Sequence, residues 1–478
     1  MKFHNTLTRR NEEFRPVIKG LARMYTCGPT VYNFAHIGNF RTYIFEDLLR
    51  RWIKYRDYKV KQVMNLTDID DKTIRDSQKE GVSLKEFTER YSKAFFEDIK
   101  TLNIEPAEVY PKATDYVQEM VAMIQCLLDK GLAYKTEDGI YFSIAKFKNY
   151  GELAHIDPEQ LKAGASGRVK TDEYEKENVA DFALWKFWDE KDGDVFWETS
   201  IGKGRPGWHI ECSAMSAKCL TDAFSDGKFN PEKFFTIDIH TGGVDNIFPH
   251  HQDEIAQTEG CVGKKFANYW LHSEHLLVDG KKMSKSLGNF YTLRDLLTKG
   301  YSPLAIRYLL ISTHYRQKLN FTFEAVEGAT VAVQRLNDFV LRLKEAHGSK
   351  NNAEVHDAIE KARLQFEQSL DNDLEISPAL AAIFDLMNTV NKHLDSHELS
   401  QKDAETVVKF MHEVDSVLGI LVKEEKLSPE LQKLVDEREK ARQIKNWART
   451  DELRDELRKK GIAVEDTTHG QRWKRILS

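Results

Sequence analysis

Residues 22–80 limit what this chain can fold into more tightly than any other stretch. "LARMYTCG" is a short apolar run of strand character, and Phe40, Ile44, Leu48, Trp52 and Tyr55 then recur at helical spacing. "YKVKQVMNLTDIDDK" follows as a second strand that ends in a cluster of carboxylates. Two parallel strands need a crossover between them, so strand, helix, strand reads as a βαβ unit. A parallel sheet of this kind collects ligands at the carboxyl ends of its strands. Chemistry is therefore expected in the connection "YTCGPTVYNFAHIGN", which carries Cys27, one of only five cysteines.

The rest of the chain extends this unit and then leaves it. From about Pro111 to Gly204 a helix ("YVQEMVAMIQCLLDKG", closed by Gly131) is followed by charged, glycine-containing loops, the pattern of an insertion. The α/β alternation returns with "GRPGWHIECSAMSAKCL", a helix expected to open at Pro206, where a missing N–H costs nothing. A strand "FFTIDIH", a turn "TGGVD" and a helix from about Pro249 to Gly260 come next. Beyond Tyr291 the pattern is almost wholly helical, with a start at Ser302-Pro303 and a final unit of two charged helices and a hairpin.

With 478 residues, several domains are expected. The expected fold class is α/β: a Rossmann-like parallel-sheet domain in two halves, 1–110 and 205–275, interrupted by an insertion over 111–204. A connecting segment over 276–320, an α-helical bundle over 321–425 and a small C-terminal domain over 426–478 complete the division. No apolar run approaches the ~20 residues that span a bilayer, and "MKFHNTLTRRNEEF" is unlike a signal peptide. A cytoplasmic location and no membrane partner are expected. The cysteines (27, 126, 212, 219 and 261) are odd in number and never in a CxxC pair, which argues against a disulfide framework. Net charge is −6, too acidic for blanket nucleic-acid coating. Residues 427–478 differ, with 13 Lys+Arg against 10 Asp+Glu, a net of +3 that allows RNA binding there.

Three constellations carry chemistry. "HIGN", His36 to Asn39, sits where a helix begins, so free backbone N–H groups and the positive end of the dipole can meet a phosphate. "DGKKMSKSLGN", Asp279 to Asn289, places three lysines and two serines in a glycine-flanked loop suited to clamping a polyphosphate. Each is weak alone, since a turn histidine and a basic surface loop are common. Third, His250 and Glu254 in "FPHHQDEIAQ" are four apart and share a helix face, and Cys212 lies in "WHIECSAM". With Cys27 they make a tetradentate set of zinc-compatible ligands, for which His251 and Cys219 are competitors.

"HIGN" followed about 250 residues later by "KMSKS" resembles the paired signature of class I aminoacyl-tRNA synthetases. "YTCGPTVYNFAHIGN", "NLTDIDDK", "DFALWK", "GWHIECSAM", "IDIHTGGVDNIFPHHQDEIAQ", "KKMSKSLGN" and the tail "ED…G…RWKR" are similar, in order, to the cysteinyl-tRNA synthetase family over about Leu21 to Arg475. The resemblance implies one Zn2+ on Cys27, Cys212, His250 and Glu254, and Mg2+ arriving with ATP. It implies L-cysteine, ATP and tRNA(Cys) as partners, and a monomer. ATP would be held by His36, Gly38, Asn39, Gly242, Gly243, Lys282, Ser284 and Lys285, with His36, Asn39, Lys282 and Lys285 stabilising charge. Thr67, Trp208, His240 and Asp245 would line the amino-acid pocket. The C-terminal domain would read the anticodon through Arg442, Asp451, Asp466 and Trp473.

Asn39 replaces the usual histidine of the first motif, and keeps a donor but no cationic form. "TGGVDN" departs from the glycine-richer family turn at Thr241 and Val244, and "HHQDE" from the commoner "HHENE". Zinc gives the family physical sense. Cysteine and serine differ by one atom, shape separates such near-isosteres poorly, and zinc prefers a thiolate to a neutral hydroxyl. A ligase that passes cysteine to a small amine is the nearest rival, and the block after Ser428 argues against it.

Overall fold

The computed structural model describes residues 1–156, 181–225, 228–349, 352–422, 427–467 and 470–475. At its centre are four parallel strands, β1 (Leu21–Thr26), β2 (Lys59–Met64), β3 (Ile237–Gly243) and β4 (Ala267–Ser273). They lie in the order β4-β3-β1-β2, all parallel. The chain leaves β1 outward to β2 and returns on the other side as β3, so the switch point falls between β1 and β3. In such sheets the ligand crevice opens at that point.

Helices cover both faces, so β1, β3 and β4 are buried along nearly their whole length. One face carries α1 (Ile37–Tyr55) and the helical bundle; the other carries α2 (Trp208–Leu220) and α3 (Gln252–Val262). Because α1 lies between sheet and bundle, it buries even Arg41, Glu46, Asp47, Arg50 and Arg51. Each acquires a partner: Arg41 donates to the carbonyls of Thr313 and His314, and Asp47 accepts from Arg51 and Arg307.

Between β2 and α2 the chain adds helix Val117–Asp129 and an antiparallel sheet of Ala133–Lys135, Gly139–Phe142, Phe182–Phe187 and Gly204–Pro206. Here one expectation is corrected. Pro206 does not open a helix; it ends the edge strand of this sheet opposite Trp185, where its missing N–H leaves no ladder bond unmade. Gly207 caps α2, which begins at Trp208. The strand expected at "FFTIDIH" is also displaced. β3 begins at Ile237 and runs through the two glycines, and the turn proper is Val244–Asn246.

The bundle comprises Pro303–Ser312, Phe323–Leu343, Ala353–Asp371, Ile376–Asp395 and Gln401–Leu418. The C-terminal unit, Pro429–Gln443, Trp447–Lys459 and the hairpin Ile462–Thr467/Gly470–Arg475, holds among the described residues seven buried apolar side chains, Leu427, Val435, Ala441, Leu453, Leu457, Ile462 and Val464. Its hairpin faces Phe323–Leu343 across a cavity of about 490 Å3. Lys474 reaches Asp338 at 2.8 Å there, and Arg472 reaches Glu345 at 3.2 Å. Among the described residues, no helix is long and apolar enough to cross a membrane.

Candidate active site

Four sequence-distant donors meet at the switch point. Cys27 follows the end of β1, Cys212 lies on α2, and His250 and Glu254 come from the turn into α3 and its first turn. Their ligand atoms all lie within 4.8 Å of one another, and all four side chains are buried. A second group, Cys27, His240, His251 and Glu254, converges equally closely. The structure therefore keeps His251 as a competitor and removes Cys219, which packs against the Tyr116 hydroxyl and belongs to neither group.

The surroundings of the first group suit a cation. His250 Nε2 and Glu254 Oε1 are 3.1 Å apart, yet among the described residues Glu254 Oε1 has no hydrogen-bond partner. On its other side, His250 Nδ1 lies 2.7 Å from His209 Nδ1, and His209 Nε2 lies 3.3 Å from the buried Asp253. A ring held through its second nitrogen is the usual arrangement of a metal-ligating histidine. Trp208 stacks on His250 at 4.4 Å between centroids, walling the site. Burial pushes Glu254 and the Cys27 thiol well up, each also facing Cys212. Cys212 is held well down against the same burial by Cys27 and His250. A bound dication would favour the ionised form of every one of these groups.

The residues expected to line the amino-acid pocket have distinct settings. His240 on β3 lies with Nε2 2.9 Å from Glu254 Oε2, stacked on Trp270 and pushed down to about 3 by burial. Thr67 is buried and accepts a hydrogen bond from Asn65, while Asp245 is exposed on the turn beyond β3. Gly242 is required by a close approach, since a Cβ there would lie 2.8 Å from the His251 ring. Gly243 would bring a Cβ within 2.5 Å of Asp245.

The nucleotide motifs also meet. His36 is the N-cap of α1: its Nδ1 accepts from the Asn39 N–H at 3.2 Å, and Asn39 Oδ1 accepts from the His36 N–H at 3.1 Å. With Nδ1 accepting, the ring proton sits on Nε2. The Asn39 oxygen is taken up by the cap, so its amide nitrogen is what it can offer a phosphate. A Cβ on Gly38 would touch the His36 ring and Met283 of the lysine loop. The Ile37 N–H donates to the Tyr291 carbonyl at 3.0 Å, which ties the cap to the segment after that loop. Within the loop, Ser284 N–H bonds Asn289 and Lys282 is exposed; the side chain of Lys285 lies outside the described residues.

In the C-terminal unit Arg442, Asp451 and Asp466 are linked through Arg438 and Arg454. Asp466 accepts from Arg438 at 2.9 Å and lies 3.6 Å from Arg442 and 3.8 Å from Arg454, which also bonds Asp451. Trp473 stands apart from them, half-buried against the small core and lining the cavity with the bundle. Sequence reasoning passed over Trp447 and Ile444, 59% and 76% exposed at the junction of the two helices. An isoleucine and a tryptophan among the charged and polar residues of "IKNWART" were the available signal.

Family models match almost end to end. The tRNA synthetases class I (C) catalytic domain covers residues 13–331, the DALR domain 365–422, and the cysteinyl-tRNA ligase anticodon binding domain 424–473. The cysteine–tRNA ligase of Protochlamydia amoebophila (strain UWE25) is 52% identical over 99% of this chain and 98% of its own length. Those of Brachyspira hyodysenteriae and Chlamydia muridarum are 50% and 48% identical, each over 99% of both chains. Among solved structures, Mycobacterium tuberculosis methionyl-tRNA synthetase in complex with methionyl-adenylate has a TM-score of 0.59 at 15% identity, covering 84% of this chain and 90% of that one. A putative arginyl-tRNA synthetase from Campylobacter jejuni has a TM-score of 0.55 at 12% identity, covering 85% and 94%. These last two speak for the fold alone. Matched along nearly its whole length by sequence and by both the catalytic and the anticodon-binding models, the chain belongs to the cysteine–tRNA ligases, a family of class I aminoacyl-tRNA synthetases.

Proposed function

We propose that this chain activates L-cysteine with ATP and charges tRNA(Cys), choosing its amino acid through a zinc site on Cys27, Cys212, His250 and Glu254. The observation that carries this reading is the convergence of those four buried donors. Two sulfurs, one imidazole and one carboxylate fit tetrahedral zinc. The group containing both thiols and the histidine steadied by His209 is preferred over the one with His240 and His251. Zinc bound there would hold the substrate sulfur as a thiolate, a preference no serine hydroxyl satisfies.

The chain's own residues then orient and stabilise. Trp208 walls the pocket, with Thr67 and His240 lining it, and exposed Asp245 meets the substrate ammonium. Gly242 and Gly243 let the adenosine approach the end of β3. The substrate carboxylate attacks the α-phosphorus and pyrophosphate departs. His36 Nε2–H, the Asn39 amide, the Gly38 N–H in the first turn of α1 and the Lys282, Ser284 and Lys285 loop meet the charge that develops. Mg2+ comes with the ATP phosphates. No side chain is a covalent nucleophile; rate comes from positioning and charge stabilisation. The terminal ribose of tRNA then takes the cysteinyl group and AMP leaves.

For tRNA reading we assign Arg442, Asp451 and Asp466 to base contacts. The stacking face goes to Trp447, whose exposure suits an unpaired base better than the half-buried setting of Trp473. The six-part domain division, a cytosolic location and a monomeric state complete the proposal. Cysteine-dependent pyrophosphate exchange followed by charging of purified tRNA tests it. Exchange and charging are expected; no exchange with cysteine overturns the reading, and exchange without charging favours a small-amine ligase.

A further inference from the structure

Glu46 is a carboxylate that the chemistry above does not use. It lies in the middle of α1, entirely buried, four residues after Thr42 and so on the same helix face. Both side chains reach the carboxyl ends of strands. Thr42 pairs its hydroxyl with that of Ser273 on β4 at 2.7 Å, and Glu46 Oε1 accepts from the Thr241 hydroxyl on β3 at 2.7 Å. Thr241 is also wholly buried, and the partner of its hydroxyl lies on the helix that begins with "HIGN".

Thr241 is placed to matter. It stands between His240 and Gly242 on β3, and its carbonyl accepts the N–H of Cys27 at 3.2 Å. Through backbone and hydroxyl together it joins three parts of the site: the Cys27 ligand, the strand under the adenosine, and the helix whose cap meets the phosphates. Burial pushes the Glu46 carboxyl up to about 8 against the pull of the Thr241 bond, so burial favours its neutral form. A neutral acid bonded to a hydroxyl satisfies Thr241 without burying a charge. Glu46 Oε2 has no hydrogen-bond partner among the described residues, so the Thr241 bond is the polar contact that fixes this side chain.

We propose that Glu46 and Thr241 form a positioning pair that sets α1 over β3, and so sets the spacing between the phosphate end and the sulfur end of the active site. Neither touches substrate; both act through His36, Cys27 and the glycines they hold in place. The inference rests on the synthetase reading given above. Small displacements of groups that align reactants lower the chemical rate steeply while leaving uniform binding intact.

The test is a double-mutant cycle in cysteine-dependent pyrophosphate exchange, with zinc content and thermal midpoint measured beside it. Glu46→Ala and Thr241→Val are each expected to lower kcat by roughly tenfold or more with little change in KM for cysteine. Zinc content should be retained, and the double variant should be no slower than the worse single one. Glu46→Gln and Thr241→Ser, which keep an acceptor facing a hydroxyl, should restore kcat to within about twofold. Losses that multiply in the double variant, failure of Glu46→Gln and Thr241→Ser to restore rate, or a lowered midpoint with kcat unchanged would each overturn the pairing while leaving the synthetase reading intact. Absence of cysteine-dependent exchange in the unmodified protein would instead overturn that reading, and this inference with it.

Discussion

Around Cys27 the ionisable side chains are shut away from water: Cys212, His240, His250, His251 and Glu254 are each at most 2% exposed. In the C-terminal unit the groups assigned to the anticodon stand open, with Asp466 40% and Asp451 65% exposed and, among the described residues, in ion pairs with arginines. The two regions face opposite tasks. Telling one atom of a small substrate from another needs dehydrated donors held by neighbours that do not move, because in water the difference is blurred by solvation. Reading an RNA base needs donors already at the surface, in ion pairs worth so little that an incoming base can take a partner's place. The first region has a large core behind it; the second has, among the described residues, seven buried apolar side chains.

Cys212→Ser strikes the contrast hardest. Zinc content and cysteine-dependent exchange should fall together, by more than ~100-fold, since even an outer partner of a ligand costs 10–100-fold; tRNA affinity should hold. Full zinc occupancy in that variant would break the ligand assignment and hand the site to His240 and His251. His209→Ala probes the layer behind, and chelator competition should show zinc retention weakened by roughly 10- to 100-fold. In the other region, Trp447→Ala should raise the tRNA KM in charging by ~10-fold, the loss of one stacked base, with pyrophosphate exchange unchanged. Trp473→Ala should lower the thermal stability of the tail more than its tRNA affinity; the reverse ranking would move the stacking face to the hairpin.

The smallest effect tests whether buried carboxylates in the catalytic half carry a pH cost. Burial pushes Asp98 from about 3.8 up to about 6, partly offset by Arg294. Because the folded state holds that proton more tightly than the unfolded one, stability is lost as pH rises between about 3.8 and 6. Asp98→Asn should remove ~1 kcal/mol of that loss, flattening the pH dependence of denaturation midpoints measured across the range. An unchanged slope would mean that the carboxyl is already ionised in the fold.

How much of this was legible depended on whether a residue's role is local. The β1–α1 connection was readable because a strand, a cap and a helix leave a periodic trace, and His36 does cap α1. The convergence of Cys27, Cys212, His250 and Glu254 could be suggested from i,i+4 spacing and residue type, since few side chains bind zinc. Pro206 misled because the same missing N–H suits a helix start and a sheet edge, and only tertiary pairing with Trp185 separates the two. The His209–His250 contact and the Glu46–Thr241 bond join residues 41 and 195 positions apart, with no local pattern to announce them. Trp447 and Trp473 differ only in what lies over them, which composition does not encode.

The hairpin is moored to the bundle by Lys474 on Asp338 and Arg472 on Glu345 around a hollow, rather than by a dry apolar seam. Moorings of that kind slacken with ionic strength, as the Debye length shrinks from ~10 Å at 0.1 M to ~3 Å at 1 M. Added salt would thus loosen the angle at which the reader is presented as well as the grip on the phosphate backbone. Charging would decline with salt more steeply than the phosphate contacts alone require, while amino-acid activation, sealed between two cores, would scarcely register the change.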